Sequence, residues 1–385
     1  MMSSRWMTRG VRIAIASAVL VAVPACADGR DAATLKPFEP QSAPHKTVAI
    51  NKAKWLHPLR KYYGVFSPNA PADMSSIDTI DQETGKQPNL SLYFQAWDES
   101  ATTKTTNFST GTASNACAKG MLPMYTWESW NTDAKGTNYH NGVSYGSGVL
   151  WTQKAFAPRK ITAGNYDPYI RQTAKAIKSL GSHCPVALRF DQETNGYWYP
   201  WGSGNDGMGG TISSRAAAYV KMWRHVWHVF HHKGADNVIW VWSPNIQSLK
   251  HKSEPGMSEI YPGDKYVDWV GLDGYYYDAA AGTSNNQSFD DVFGATIKQL
   301  TPVASHKPWL VAETGVAKGT HKPAEIKDLI HTVADSKLFN GFVYFNQYKS
   351  NDRSDWRFDA DQESLAAFKD AISSHVFANG KPGSF

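Results

Sequence analysis

The sequence predicts a (β/α)8 barrel, and three observations predict it. Eight short apolar runs of strand character recur along the 385 residues. Helical patterns fill most of the gaps between them. The fourth run has a glutamate, Glu193, just past its end, and the seventh leads directly into another, Glu313. In barrels the C-terminal ends of the strands form the face that carries chemistry.

The strand-like runs cover residues 62–66, 90–97, 121–127, 186–191, 238–242, 269–276, 309–312 and 341–345. Each is short and rich in β-branched or aromatic residues, as a strand buried on both faces should be. The helical pattern is clearest over residues 213–232. There Ala217, Val220, Trp223, Val226, Trp227 and Phe230 share one stripe, and Ser213 or Ser214 can cap the start. Residues 169–180, 289–300, 323–334 and 365–373 repeat the pattern. The stretch between Glu128 and Asp167 has no such periodicity. It is rich in Gly, Asn, Thr and Tyr and reads as a long structureless loop, one wall of a cleft.

The richest segment is residues 189–202, Arg-Phe-Asp-Gln-Glu-Thr-Asn-Gly-Tyr-Trp-Tyr-Pro-Trp-Gly. A carboxylate, Glu193, stands at the strand end with Asn195 and four aromatics directly behind it. A glycosidic oxygen needs a proton donor, sugar hydroxyls need amides, and pyranose faces pack on flat rings. The alternative is an ordinary loop with a strand-capping Glu, although exposed aromatics at this density are costly without a ligand. Glu313, followed by Thr314 and Gly315, supplies a second carboxylate at the same rim. Two carboxyl groups across one bond are what glycoside hydrolysis requires.

These residues resemble glycoside hydrolase family 26, within the larger clan of retaining barrel glycosidases. The resemblance runs from about Tyr62 to about Phe358. It rests on residues 195–202, on Val241-Trp242-Ser243-Pro244-Asn245, on Asp273-Gly274-Tyr275 and on Ala312-Glu313-Thr314-Gly315. It implies Glu193 as general acid/base and Glu313 as nucleophile of a double displacement, with the carboxyl groups about 5–5.5 Å apart. Asp273 and Tyr275 match positions that support the nucleophile and the −1 sugar, and Trp198 matches an aromatic of the cleft. Gln192, Asn195, Trp201, Trp127, Trp242 and Asn245 complete the expected substrate contacts. Gln192 departs from the family, which has His before the acid/base. Gln donates and accepts hydrogen bonds but carries no charge, so substrate preference is in question. No residue at the end of the eighth strand is assigned; Phe345, Asn346, Tyr348, Trp356 and Arg357 are the ones at hand.

The expected activity is that of a secreted endo-acting β-glycanase, first of all on β-1,4-mannan. Mixed-linkage β-1,3-1,4-glucan, β-1,3-xylan and an exopolysaccharide stay open as substrates. A non-catalytic carbohydrate-binding barrel is the alternative of another class; two paired carboxylates count against it. No cofactor and no metal are expected.

The N-terminus has Arg5, Arg9 and Arg12, an apolar run over residues 13–23 and Ala25-Cys26-Ala27. That is the layout of an export signal over residues 1–27, and its apolar run is too short to span a bilayer stably. Residues 23–26 also resemble a lipobox, so a lipid on Cys26 and free secretion both stay open. Residues 28–51 read as a polar linker and 52–385 as the catalytic domain. Of three cysteines, Cys117 and Cys184 precede neighbouring strands, and a disulfide between them suits an exported protein.

The formal net charge is +5. Removing the first 26 residues leaves 36 basic against 34 acidic residues, too balanced for nucleic acid. Residues 202–207 satisfy G-x-G-x-x-G but follow no strand, so they carry no nucleotide site. His225, His228, His231 and His232 read as a solvated helix end. A polysaccharide is the expected partner, and the chain is expected to be a monomer.

Overall fold

A computed structural model describes residues 52–98, 100–247, 254–277, 286–349 and 354–380. The signal, lipobox and linker expectations fall outside the described residues. Eight parallel strands close into a barrel in chain order. They are β1 (Tyr62–Phe66), β2 (Leu90–Ala96), β3 (Leu122–Glu128), β4 (Val186–Phe190), β5 (Val238–Trp242), β6 (Trp269–Tyr276), β7 (Trp309–Val316) and β8 (Phe339–Phe345). β8 returns to β1 with Tyr62 opposite Gly341 and Phe66 opposite Phe345. The backbones approach closely at that seam, where a Cβ on Gly341 would run into the Tyr62 carbonyl.

Helices follow the strands as α1 (Ser75–Thr84), α2 (Thr110–Ala118), α3 (Asp167–Ser179), α4 (Ile212–His232), α5 (Met257–Ile260), α6 (Ala295–Ala304), α7 (Lys322–Asp335) and α8 (Gln362–Ile372). α2 carries little periodicity in the sequence, and α1 shows only Ile77 and Ile80 as large apolar residues on its buried face. α4 is capped by Thr211, whose side chain and that of Ser214 exchange hydrogen bonds with each other's backbone N–H, and not by Ser213 or Ser214. The four-residue α5 leaves little covering helix after β5.

Alternation of side chains along each strand builds two apolar layers. Leu122 and Met124 of β3, Ala187 of β4, Ile239 and Val241 of β5 and Leu310 of β7 fill the barrel interior. Their neighbours Tyr125, Trp127, Leu188, Phe190, Trp240 and Trp242 point outward, into the layer between strands and helices. Trp55 packs with the interior layer, and its carbonyl accepts the Tyr62 hydroxyl at 2.9 Å.

The stretch after β3 is not structureless. Lys135–His140 and Val143–Val149 pair as an antiparallel hairpin, and short helical turns follow at Lys154–Phe156 and Pro158–Thr162. Asn141 and Gly142, both at positive φ, make its two-residue turn. Exposed strands with polar alternation lack the apolar signal of a buried one, so the hairpin was not legible in the pattern.

Cys117 at the end of α2 and Cys184 before β4 are joined by a disulfide closing 67 residues. Both precede strands, so the bridge lies at the N-terminal rim, where it serves stability and not chemistry. Paired Cys117→Ser and Cys184→Ser replacement should cost about 4 kcal/mol of unfolding free energy by loop-closure entropy. Chemical denaturation checks this; an unchanged midpoint would show that the bridge contributes nothing.

Candidate active site

The site is built around one buried cation. Arg189 is the last inward-facing residue of β4 and is fully buried. Its Nη1 donates to Thr126 Oγ1 at 3.0 Å and lies 2.8 Å from Glu313 Oε2. Its Nη2 pairs with Asp273 Oδ2. Asp273 Oδ1 accepts the Ser243 hydroxyl at 2.6 Å. Burial alone would lower the guanidinium's pKa, but the carboxylates of Asp273, Glu313 and Glu193 hold it above the ordinary arginine value.

Glu313 reaches this cation through an irregularity in β7. Opposite β6 the register runs from Leu272–Val311 directly to Asp273–Glu313, so one extra residue, Ala312, is accommodated. Ala312 packs in the barrel interior, and Glu313 after it also turns inward. A bulge re-aims a side chain in this way. Oε1 of Glu313 accepts the Tyr275 hydroxyl at 2.5 Å. Both carboxylate oxygens therefore have fixed donors.

Glu193 stands on a tight turn after β4. Asp191 and Glu193 take positive φ of 45° and 53°, a conformation that costs a non-glycine residue roughly 1–3 kcal/mol. Neighbouring strand ends hold the turn. Ser129 donates to Asp191 from its backbone at 2.8 Å and its hydroxyl at 2.6 Å. The Glu193 N–H donates to the Ser243 carbonyl at 2.7 Å. Glu193 is half-buried, and its Oε2 accepts Trp198 Nε1 at 2.7 Å. The indole folds back over the turn, where a Cβ on Gly196 would lie 2.5 Å from its ring.

Gln192 is buried and faces a third carboxyl. Its Nε2 donates to Glu128 Oε1 at 2.7 Å and to the Tyr199 hydroxyl at 3.2 Å. Its Oε1 is buried with no hydrogen-bond partner among the described residues. Burial pushes the Glu128 carboxyl up to about 7, and Glu313 adds to that, while Gln192 and Arg189 work against it.

Glu193, Glu313, Gln192, Trp198, Asp273 and Tyr275 thus converge. Arg189 and Glu128 join them, although neither was expected as a site residue. An arginine inside an apolar run is a signal that could have found the first, because a buried cation needs partners. In the sequence Glu128 directly follows the third apolar run as Glu313 follows the seventh, and that shared pattern could have found the second.

Three expected cleft aromatics are corrected. Trp127 and Trp242 are fully buried on the outward faces of β3 and β5; Trp127 Nε1 donates to the Tyr169 hydroxyl, and Trp242 packs on Tyr261. Trp201 is 1% exposed, stacks on Tyr199 at 4.3 Å and donates from Nε1 to the Gln192 carbonyl at 2.6 Å, bracing the turn. Asn195 and Asn245 also brace: Asn195 accepts the Asn245 N–H at 2.9 Å and donates to its carbonyl at 3.1 Å. At the end of β8, Phe345 stacks on Phe66, and Trp356 packs 4.5 Å from the Tyr275 ring. His225 is not simply solvated, since it pairs with Asp167 at 2.7 Å.

A sequence profile described as Glycosyl hydrolase family 26 matches residues 61–355. Endoglucanase H of Acetivibrio thermocellus is 30% identical over 257 residues, 65% of this chain and 27% of that protein. Mannan endo-1,4-beta-mannosidase A and B of Caldalkalibacillus mannanilyticus is 28% identical over 227 residues, 57% of this chain and 40% of that protein. The chain spans less than half the length of these two relatives. The YdhT protein from Bacillus subtilis aligns with TM-score 0.56 at 20% identity, over 81% of this chain and 85% of that one. A beta-mannanase from a symbiotic protist of the termite Reticulitermes speratus, complexed with gluco-manno-oligosaccharide, gives TM-score 0.56 at 17% identity, over 85% and 91%. At these identities the structural likeness concerns the fold.

The raised Glu128 carboxyl has a consequence for stability. A carboxyl held above its ordinary value of 4.5 stabilises the fold below that value and loses this contribution as pH rises through about 7. Wild type should therefore lose stability relative to Glu128→Gln between those two pH values. Denaturation midpoints of both proteins across that range measure the effect, and parallel profiles would contradict it.

Proposed function

The chain belongs to glycosyl hydrolase family 26, and from that premise we propose that it cleaves a β-1,4-linked polysaccharide, first of all mannan, with retention of configuration. The observation that carries the proposal is the pair Glu313 and Glu193 within the field of one buried guanidinium. Glu313 attacks the anomeric carbon through a carboxylate oxygen. As the C1–O bond breaks, Glu193 gives its proton to the leaving oxygen. Glu193, now ionised, takes a proton from water, which attacks C1 and releases Glu313.

The remaining residues have positioning roles. Tyr275 and Arg189 each hold one oxygen of Glu313 and fix the attacking geometry. Asp273, held by Ser243, keeps Arg189 in place. Trp198 orients Glu193 through its indole N–H. Gln192 and Glu128 present a neutral amide and a readily protonated carboxyl near the nucleophile.

Gln192 also favours a second substrate reading, a β-glucan. It replaces the expected His, and a protein named Endoglucanase H is among the similar ones. The Cys117–Cys184 disulfide supports an oxidising compartment and hence export, free or lipid-anchored. A monomer suits a barrel of this size.

The test is reducing-end release from galactomannan, glucomannan, mixed-linkage β-glucan and β-1,3-xylan. Wild type should release ends from one of them. Glu193→Ala should lose roughly 10²- to 10⁴-fold in rate, the usual worth of general acid–base catalysis. Glu313→Ala should lose hydrolysis, and full activity there would reject the nucleophile. Binding by wild type without turnover on any glycan would favour the carbohydrate-binding barrel.

A further inference from the structure

The hairpin after β3 presents aromatic rings next to the acid/base. Trp198, which holds Glu193 Oε2, meets Tyr197 edge-on at 5.1 Å. Tyr197 in turn lies 5.3 Å from Tyr145 of the hairpin and stacks face to face on His140 at 4.1 Å. Trp151 contacts both Tyr145 and Tyr197 at 5.5 and 5.7 Å. Tyr145 keeps 45% of its surface exposed. Aromatic contacts thus run without a break from Glu193 to solvent.

This surface is held in place before any ligand arrives. Asp206, in the loop after β4, accepts the Asn141 N–H at 3.1 Å and lies 3.5 Å from His140 Nδ1. Asn205 donates to the Trp151 carbonyl at 3.0 Å. The hairpin is therefore tied to the same loop that carries Trp198. A rigid ring costs little entropy when a ligand stacks on it. Packing against the neighbouring loop accounts for the buried His140, but not for the exposed Tyr145 ring beyond it.

We infer that Tyr145 and Tyr197 form an additional binding surface for the leaving-group side of the polysaccharide chain, beyond the sugar that departs on the proton of Glu193. The inference rests on the proposed function, because the acid/base marks which side of the scissile bond this flank serves. The occupant is a run of pyranose rings, whose C–H faces pack on aromatic faces. Tyr139 supplies an internal control. It is 56% exposed on the same hairpin, but pairs with Ser144 and so lies on the face opposite His140, Val143 and Tyr145.

The test compares wild type, Tyr145→Ala, Tyr145→Phe and Tyr139→Ala on the polymer that wild type cleaves. A short aryl β-glycoside of the same sugar, which has no sugar on the leaving-group side, is the second substrate. Tyr145→Ala should raise the polymer KM about 3- to 10-fold more than that of the aryl glycoside, the range of one aromatic stacking contact. Tyr145→Phe should restore the polymer KM, and Tyr139→Ala should match wild type. An equal effect on both substrates, or no effect on the polymer, overturns the surface. A second readout needs no turnover: Glu313→Ala should be retarded in polysaccharide-containing gels, and adding Tyr145→Ala should reduce the retardation. Equal retardation of those two proteins overturns the inference, whereas a wild type inactive on every glycan overturns the catalytic reading alone.

Discussion

A fully buried guanidinium cannot stand by itself, and the architecture of the barrel mouth follows from that requirement. Removing a charge from water costs several kcal/mol unless partners compensate. Arg189 recovers that cost from Thr126 on β3, Asp273 on β6 and Glu313 on β7, with Ser243 after β5 holding Asp273. Five consecutive strands of the barrel, counting β4 itself, are thereby fastened at one end. The bulge in β7 belongs to the same arrangement, since it is what turns Glu313 toward the cation. Stability and positioning are not separable here: loss of Asp273 or Glu313 would weaken the compensation of a buried charge as well as disturbing the group that the other one faces.

The same logic explains how Glu193, the proposed acid/base, stands on strained backbone. Two left-handed residues within three would relax if the turn were exposed. Ser129 and Ser243, on the strand ends to either side, hold it from both flanks, and Trp201 closes it from behind. Glu313 sits on a strand and Glu193 on a turn, yet neighbouring strands fix both. A rigid barrel thus controls the spacing of two groups that belong to different kinds of local structure.

The barrel was legible in the sequence because strands buried on both faces leave long apolar runs that survive any register. The pair of carboxylates at strand ends was legible for a related reason: one acidic residue after an apolar run is common, but two at the same rim, one with amides and aromatics behind it, mark a candidate site. What the sequence did not reveal was orientation. Trp127 and Trp242 end their runs as plainly as a cleft aromatic would, but strand parity turns them outward, and a run without polar alternation conceals its parity. Glu313 escaped the same problem only because its strand carries a bulge, which leaves no mark in the sequence. Arg189 was overlooked because it stands within an apolar run, where a cation looks like an interruption of the core and not its organiser. The hairpin was missed because solvated strands rich in Gly, Ser and Thr carry no burial pattern at all.

The charge balance of the site gives Gln192 its meaning. Asp273, Glu313, Glu193 and Glu128 all interact with Arg189. The proposed mechanism needs a proton on Glu193, and burial favours one on Glu128. A histidine at position 192 could carry a charge beside these carboxyls, but Gln192 cannot. Its amide donates to Glu128 and leaves the carboxyl to titrate near neutrality. With Gln at position 192, Glu128 is the titratable member of this hydrogen-bonded pair. The hydrogen-bonding capacity of the position is that of a neutral amide, whose carbonyl oxygen has no protein partner among the described residues.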